Sequence, residues 1–118
     1  MENKKILIID DDQAIVKYLE KLFNNNGYDT ILAHDGLEAD DIVKETTPDL
    51  ITLDLDMPRE WGTRFYRKLT KKKECKDIPV IVVSGMAGRD HSIKKAVGIF
   101  GKPFDPDKLM ATVKETIG

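Results

Sequence analysis

At 118 residues and 13.4 kDa the chain has room for one hydrophobic core, because two would leave each half too small to stabilise itself. Apolar residues make up 41% and charged residues 34%, which excludes a chain built of membrane spans as well as a polar, biased, disordered one. Nineteen bases stand against 21 acids, for a net charge of −2 and a pI near 5.7, the wrong balance for a domain that lives on nucleic-acid phosphates.

No apolar run approaches the roughly 18 residues needed to cross a bilayer, and no long apolar segment or small-residue cleavage site follows Met1-Glu2-Asn3-Lys4-Lys5. A cytoplasmic location without membrane contact is therefore expected. The single cysteine, Cys75, has no cysteine to pair with and no Cys or His at metal-ligand spacing, so it is read as a bystander.

In chain order, Ile6-Leu7-Ile8-Ile9 is the first short apolar run, and a run of this kind without period-2 alternation is what a strand buried on both faces looks like. Ile15, Leu19, Leu22 and Asn26 then fall on one helical stripe, which Gly27 closes. Asp29-Thr30-Ile31-Leu32-Ala33 predicts a second strand, and Leu37, Ile42 and Val43 a second helix. Leu50-Ile51-Thr52-Leu53 is a buried strand, Phe65 and Leu69 mark a third helix, and Lys71-Lys72-Lys73 is expected to fray its end into solvent. Val80-Ile81-Val82-Val83 is the fourth strand, Ile93 and Val97 suggest a short fourth helix, and Ile99-Phe100 a weaker fifth strand. Asp105-Pro106 supplies an N-cap and a first helical residue for a fifth helix through Leu109, Val113 and Ile117. Five β-α units in succession require right-handed crossovers and a parallel sheet covered on both sides, an open, doubly wound α/β domain.

Ligands of such sheets bind beyond the carboxyl ends of the strands, so the residue after each run is the informative one. These are Asp10 and Asp11 after the first run, Asp54 after the third, Ser84 after the fourth and Lys102 after the fifth. Carboxylates packed together repel, and either their pKa values rise or a cation holds them ionised. Hard oxygen ligands with open positions suit Mg²⁺, which shares its coordination with a phosphate. A lysine adds a point charge for an anionic group and a serine hydroxyl a hydrogen bond. The set points to transfer of a phosphoryl group to an aspartate.

On these residues the chain resembles the receiver domain of two-component response regulators over residues 1–118. The resemblance is carried by Ile8-Ile9-Asp10-Asp11-Asp12, by Pro48-Asp49-Leu50-Ile51-Thr52-Leu53-Asp54-Leu55-Asp56-Met57-Pro58 with Gly62, by Ile78-Pro79-Val80-Ile81-Val82-Val83-Ser84-Gly85, and by Lys102-Pro103-Phe104. It implies a flavodoxin-like (βα)5 domain with strand order 2-1-3-4-5. It also implies Asp54 as phosphoacceptor; Asp11 and Asp54 as direct Mg²⁺ ligands, Asp10 acting through water and the main-chain carbonyl of Asp56 completing the set; and Ser84 and Lys102 each holding a phosphoryl oxygen. Lys102-Pro103 is expected to be a cis peptide. The implied donor is a histidine kinase or histidine phosphotransfer protein and the implied recipient a downstream protein or output domain, while self-association stays open. The domain would catalyse only its own phosphorylation and dephosphorylation, and so is not an enzyme in the ordinary sense.

Other residues have blander readings. Asp12 is expected to serve as a helix N-cap. His34 and His91 stand alone and are read as structural or exposed. Trp61 has two open readings, a partner anchor beside the site or a ring covering core.

Three features depart from the family. The aromatic expected three positions before the lysine is replaced by Ile99, with Phe100 beside it pointing to the opposite face. Ser84 and Lys102 are only 18 positions apart, which shortens the fourth helix. Arg59 and Glu60 stand where small residues are expected.

A haloacid-dehalogenase-like phosphatase would also use an Asp-x-Asp strand, Ser, Lys and Mg²⁺, but its motif order is the reverse and it needs a longer chain. A flavodoxin-type ligand site would need a Ser/Thr-rich phosphate loop where this chain has three aspartates. A receiver-like interaction module that takes no phosphoryl group is the alternative carried forward.

Overall fold

The computed structural model describes residues 3–57, 61–85 and 96–118. The short helix expected around Ile93, together with His91, Arg59, Glu60 and the side chain of Trp61, lies outside the described residues. The elements are β1 (Lys5–Ile9), α1 (Gln13–Asn25), β2 (Asp29–Ala33), α2 (Gly36–Glu45), β3 (Leu50–Leu53), α3 (Trp61–Lys71), β4 (Val80–Val83), β5 (Gly98–Phe100) and α4 (Pro106–Ile117). The five strands are parallel in the order β2-β1-β3-β4-β5, the flavodoxin-like doubly wound arrangement.

Strand alternation sorts the core into two layers. Leu7, Ile9, Ile51, Leu53, Val80 and Val82 point to one face, where α2 and α3 cover them with Ala39, Val43, Phe65 and Leu69. Ile6, Ile8, Leu50, Ile81 and Val83 point to the other, under Val16, Leu19 and Phe23 of α1 and Leu109, Met110 and Val113 of α4. Both faces of the central strands are thus buried, the reason those strands read as unbroken apolar runs. Phe100 packs on the α1/α4 layer, whereas Ile99 is 51% exposed, so the two point to opposite faces as strand geometry demands.

Helix ends follow the expected chemistry. Asp12 caps α1 by accepting from the N–H groups of Ala14 and Ile15, and Asp105 caps α4 ahead of Pro106. Gly27 takes φ +88° just after α1, a conformation that a side chain rarely adopts.

Three local expectations need correction. The buried seam of α1 is Val16, Leu19 and Phe23, and Ile15 and Leu22 only flank it. Leu37 lies on α2 but is 64% exposed, because the buried face of that helix runs through Gly36, Ala39 and Val43 and Leu37 lies off it. Lys71-Lys72-Lys73 does not fray: the Lys72 N–H donates to the Leu69 carbonyl, and the N–H groups of Cys75 and Lys76 donate to that of Lys72. Cys75 is a free cysteine buried in the α2/α3 layer, in line with its reading as a residue without disulfide or metal chemistry. Among the described residues no helix is long and apolar enough to cross a membrane.

Candidate functional site

The register of the parallel sheet carries Asp10 and Asp54 to the same edge. The Asp10 N–H donates to the Ala33 carbonyl (3.1 Å) and the Asp54 N–H to the Ile9 carbonyl (3.0 Å), so each aspartate sits one residue past its strand with its backbone still in the ladder. The Ser84 N–H does the same toward Phe100 (3.0 Å). Asp10, Asp54 and Ser84 are buried, and Asp11 is exposed at the mouth.

Lys102 joins them from the far end of the chain. Its Nζ lies 2.9 Å from Asp10 Oδ2 and 3.7 Å from Asp54 Oδ1, and the Lys102-Pro103 peptide is cis. Burial alone would pull the ammonium pKa down, but the hydrogen bond that it donates to Asp10 and the charges of Asp10, Asp54 and Asp12 hold it above the ordinary lysine value. Asp54 moves the other way from a typical surface carboxylate. Burial pushes its pKa up and the Asp10 charge adds to this, against the lowering effects of the Asp56 N–H, Lys102 and the Ser84 hydroxyl.

One oxygen from each of Asp10, Asp11 and Asp54 can be chosen so that all lie within 4.8 Å of one another. Three carboxylates thus face one ammonium, an all-oxygen donor set with a negative excess, which is the chemistry that a hard divalent cation satisfies. The residues present fit such an ion.

The loop after β3 contributes more than its main chain. The Asp56 N–H donates to Asp54 Oδ1 (3.0 Å), which fixes that oxygen's orientation. The Asp56 side chain reaches across to the loop after β4, where Oδ2 accepts from the Gly85 N–H at 2.8 Å. Sequence reasoning valued only the carbonyl of Asp56 and missed this bridge, since the two residues are 29 positions apart and nothing local marks the contact. Gly62, in the first turn of α3, is packed so closely that a Cβ there would lie 2.5 Å from the Asp54 carbonyl oxygen, so only glycine lets the helix approach the loop. His34 is exposed beside Glu38 (3.6 Å) and stands apart from this set.

Residues 6–114 match the response regulator receiver domain family. The chain belongs to that family. As a receiver domain it is 37% identical to protein Rrf1 of Nitratidesulfovibrio vulgaris over 113 residues, covering 96% of this chain and 82% of that one. It is also 37% identical to sporulation initiation phosphotransferase F of Bacillus subtilis, covering 98% and 94% of the two chains. Among solved structures, the chemotaxis response regulator CheY4 of Vibrio cholerae superposes on this receiver domain with a TM-score of 0.88 at 25% identity, covering 98% and 99% of the two chains. Asp10, Asp11, Asp54, Ser84 and Lys102 share the carboxyl edge of the sheet.

Proposed function

We propose that this receiver domain is a Mg²⁺-dependent phosphoryl-acceptor switch in which Asp54 takes a phosphoryl group from a histidine kinase or histidine phosphotransfer protein. The observation that carries the reading is the meeting of Lys102 with both buried carboxylates, 2.9 Å from Asp10 and 3.7 Å from Asp54, beside the Ser84 hydroxyl. A purely structural edge would gain nothing from two buried carboxylates held against one ammonium.

In the transfer, a carboxylate oxygen of Asp54 attacks phosphorus, the P–N bond of the phosphohistidine breaks, and the imidazole leaves with its electron pair and takes a proton. The product is an acyl phosphate on Asp54. The Asp56 N–H orients the Asp54 carboxylate, Lys102 neutralises charge on the incoming oxygens, and Ser84 donates a hydrogen bond to one of them. Asp10, Asp11 and Asp54, with the main-chain carbonyl of Asp56, would hold the ion. When bound, it supplies Lewis-acid neutralisation of phosphoryl charge.

The domain turns over only its own phosphate, which makes it a switch and not an enzyme with an external product. The phosphorylated form shifts a conformational equilibrium that a downstream protein or output domain reads, and the setting is cytoplasmic. The name of the Bacillus subtilis relative, a phosphotransferase, supports this chemistry.

The test is intact-mass spectrometry after incubation with acetyl phosphate, with and without Mg²⁺, beside the Asp54→Asn variant. A phosphoryl adduct that needs Mg²⁺ and disappears in the variant is expected. A folded, Mg²⁺-binding protein that never takes the adduct would replace this reading with that of a receiver-like interaction module, for which the aliphatic and exposed Ile99 is the supporting observation.

A further inference from the structure

The charges of this chain are segregated. Seven of its 19 bases fall within residues 64–76, where Glu74 is the one acid, so the rest of the chain carries 20 acids against 12 bases. On α3, Arg64, Arg67, Lys68 and Lys71 are exposed at offsets of 3, 4 and 7, a single stripe lining one shallow groove. Lys73 and Lys76 extend it past the helix end, on the turn that contains buried Cys75.

Such a stripe works against its own helix. Arg64 with Lys68 and Arg67 with Lys71 are like charges at i,i+4, where an acid in either position would have been stabilising. Of the stripe, Lys68 meets an acid, Asp40 of α2 at 3.2 Å. Among the described residues Arg64, Arg67 and Lys71 have no ion pair.

The neighbouring helix carries the opposite charge. Glu38, Asp41 and Glu45 of α2 are exposed at offsets of 3 and 7, with Lys44 the one base on that helix. Glu38 has exposed His34 beside it at 3.6 Å. The Lys68–Asp40 pair marks the seam where α2 meets α3. An acidic ridge and a basic ridge therefore lie side by side on one face of the molecule. A two-fold axis running along their seam lays α2 of one copy over α3 of another, and does so twice.

We infer that the α2–α3 face is a self-association surface whose occupant is a second copy of this chain, held by charge complementarity with Leu37, 64% exposed, as an apolar contact at one end. A long polyanion fits less well, because the acidic remainder of the surface repels it. Exposed ion pairs are individually weak and screened by salt, so the dimer forms at high protein concentration and low ionic strength and is lost as salt rises. The face lies on α2 and α3, not on the carboxyl edge of the sheet, and the inference stands whether or not Asp54 accepts a phosphoryl group.

Sedimentation velocity across a protein concentration series, at about 20 mM and about 500 mM salt, reads the effect directly. The expected result is a shift of weight-average mass toward the dimer at low salt and its loss at high salt. Two charge-reversed variants sharpen it: Arg64→Glu/Arg67→Glu/Lys71→Glu on α3, and Glu38→Lys/Asp41→Lys/Glu45→Lys on α2. Each alone should sediment as a monomer, and their equimolar mixture should recover the dimer, since both ridges are then complementary again. A wild-type chain that stays monomeric at low salt overturns the inference, and so does a dimer that survives either reversal. Wild type that stays monomeric but binds heparin overturns it in favour of a polyanion. The wild-type salt series needs no variant to fold.

Discussion

Leu53 and Asp54 are consecutive residues, both almost fully buried, and they obey opposite rules. Leu53 belongs to the interior of the sheet, where neighbouring apolar groups are the only partners a side chain needs. Asp54 stands at the carboxyl edge, where burial and the Asp10 charge work against its ionisation and three partners, the Asp56 N–H, Lys102 and the Ser84 hydroxyl, only partly offset that cost. The comparison separates what this molecule spends on being folded from what it spends on being reactive, and the boundary is one peptide bond wide.

The sharpest way to break the comparison is to substitute on each side of it. Leu53→Ala removes fully buried apolar volume and should destabilise the domain by about 2–5 kcal/mol in urea unfolding. A loss under 1 kcal/mol would mean that the interior is looser than its packing indicates.

Asp54→Asn should do the reverse. In metal-free protein it removes a buried charge while keeping the shape, for a gain on the order of 1 kcal/mol at neutral pH. The pH dependence fixes the cause. Because the folded-state pKa of Asp54 is raised, protonation favours the folded state. Its contribution is fully present below the ordinary carboxylate pKa of about 4 and is lost as pH rises through the raised value. The stability gap between Asp54→Asn and wild type should therefore be small below about pH 4 and widen above it. A gap that does not change with pH would assign the gain to packing instead of charge.

The smallest effect lies where the interior breaks its own rule. Thr52 is buried in β3 and its hydroxyl has no hydrogen-bond partner among the described residues. Thr52→Val deletes that orphaned group at constant shape and should stabilise the domain by a few tenths to about 1 kcal/mol, measured as a shift in the urea midpoint without a change in slope. Destabilisation would mean that the hydroxyl has a partner after all.

Much of the fold was legible because the sheet is parallel and covered on both sides. The run Val80-Ile81-Val82-Val83 is buried as expected, and the strands β3 and β4 begin and end where the apolar runs do. Helix caps were equally plain at Asp12 and Asp105, since capping is a local interaction over two or three residues. Helix faces were less legible: the stripe in α1 was misplaced by one residue, and Leu37 was counted with the apolar face although it is exposed. Composition and spacing say which residues are apolar, not which of them the helix turns toward the sheet. The candidate site divides in the same way. Asp10, Asp11, Asp54, Ser84 and Lys102 were visible because each stands at the end of a run, whereas the Asp56 carboxylate and the Gly85 N–H carry no local mark.

By itself the sequence determined the order of the described strands and helices, the burial of the central strands and the chemical identity of what stands at their carboxyl ends, because these depend on patterns within about ten residues. Only the tertiary structure decided which of those groups meet. Lys102 pairs with Asp10 across 92 positions, and Asp56 bridges to Gly85. Both contacts depend on strand register and on the packing of crossover connections, which bring distant segments within 3 Å by the combined constraints of the whole sheet and leave no trace in any one stretch of chain.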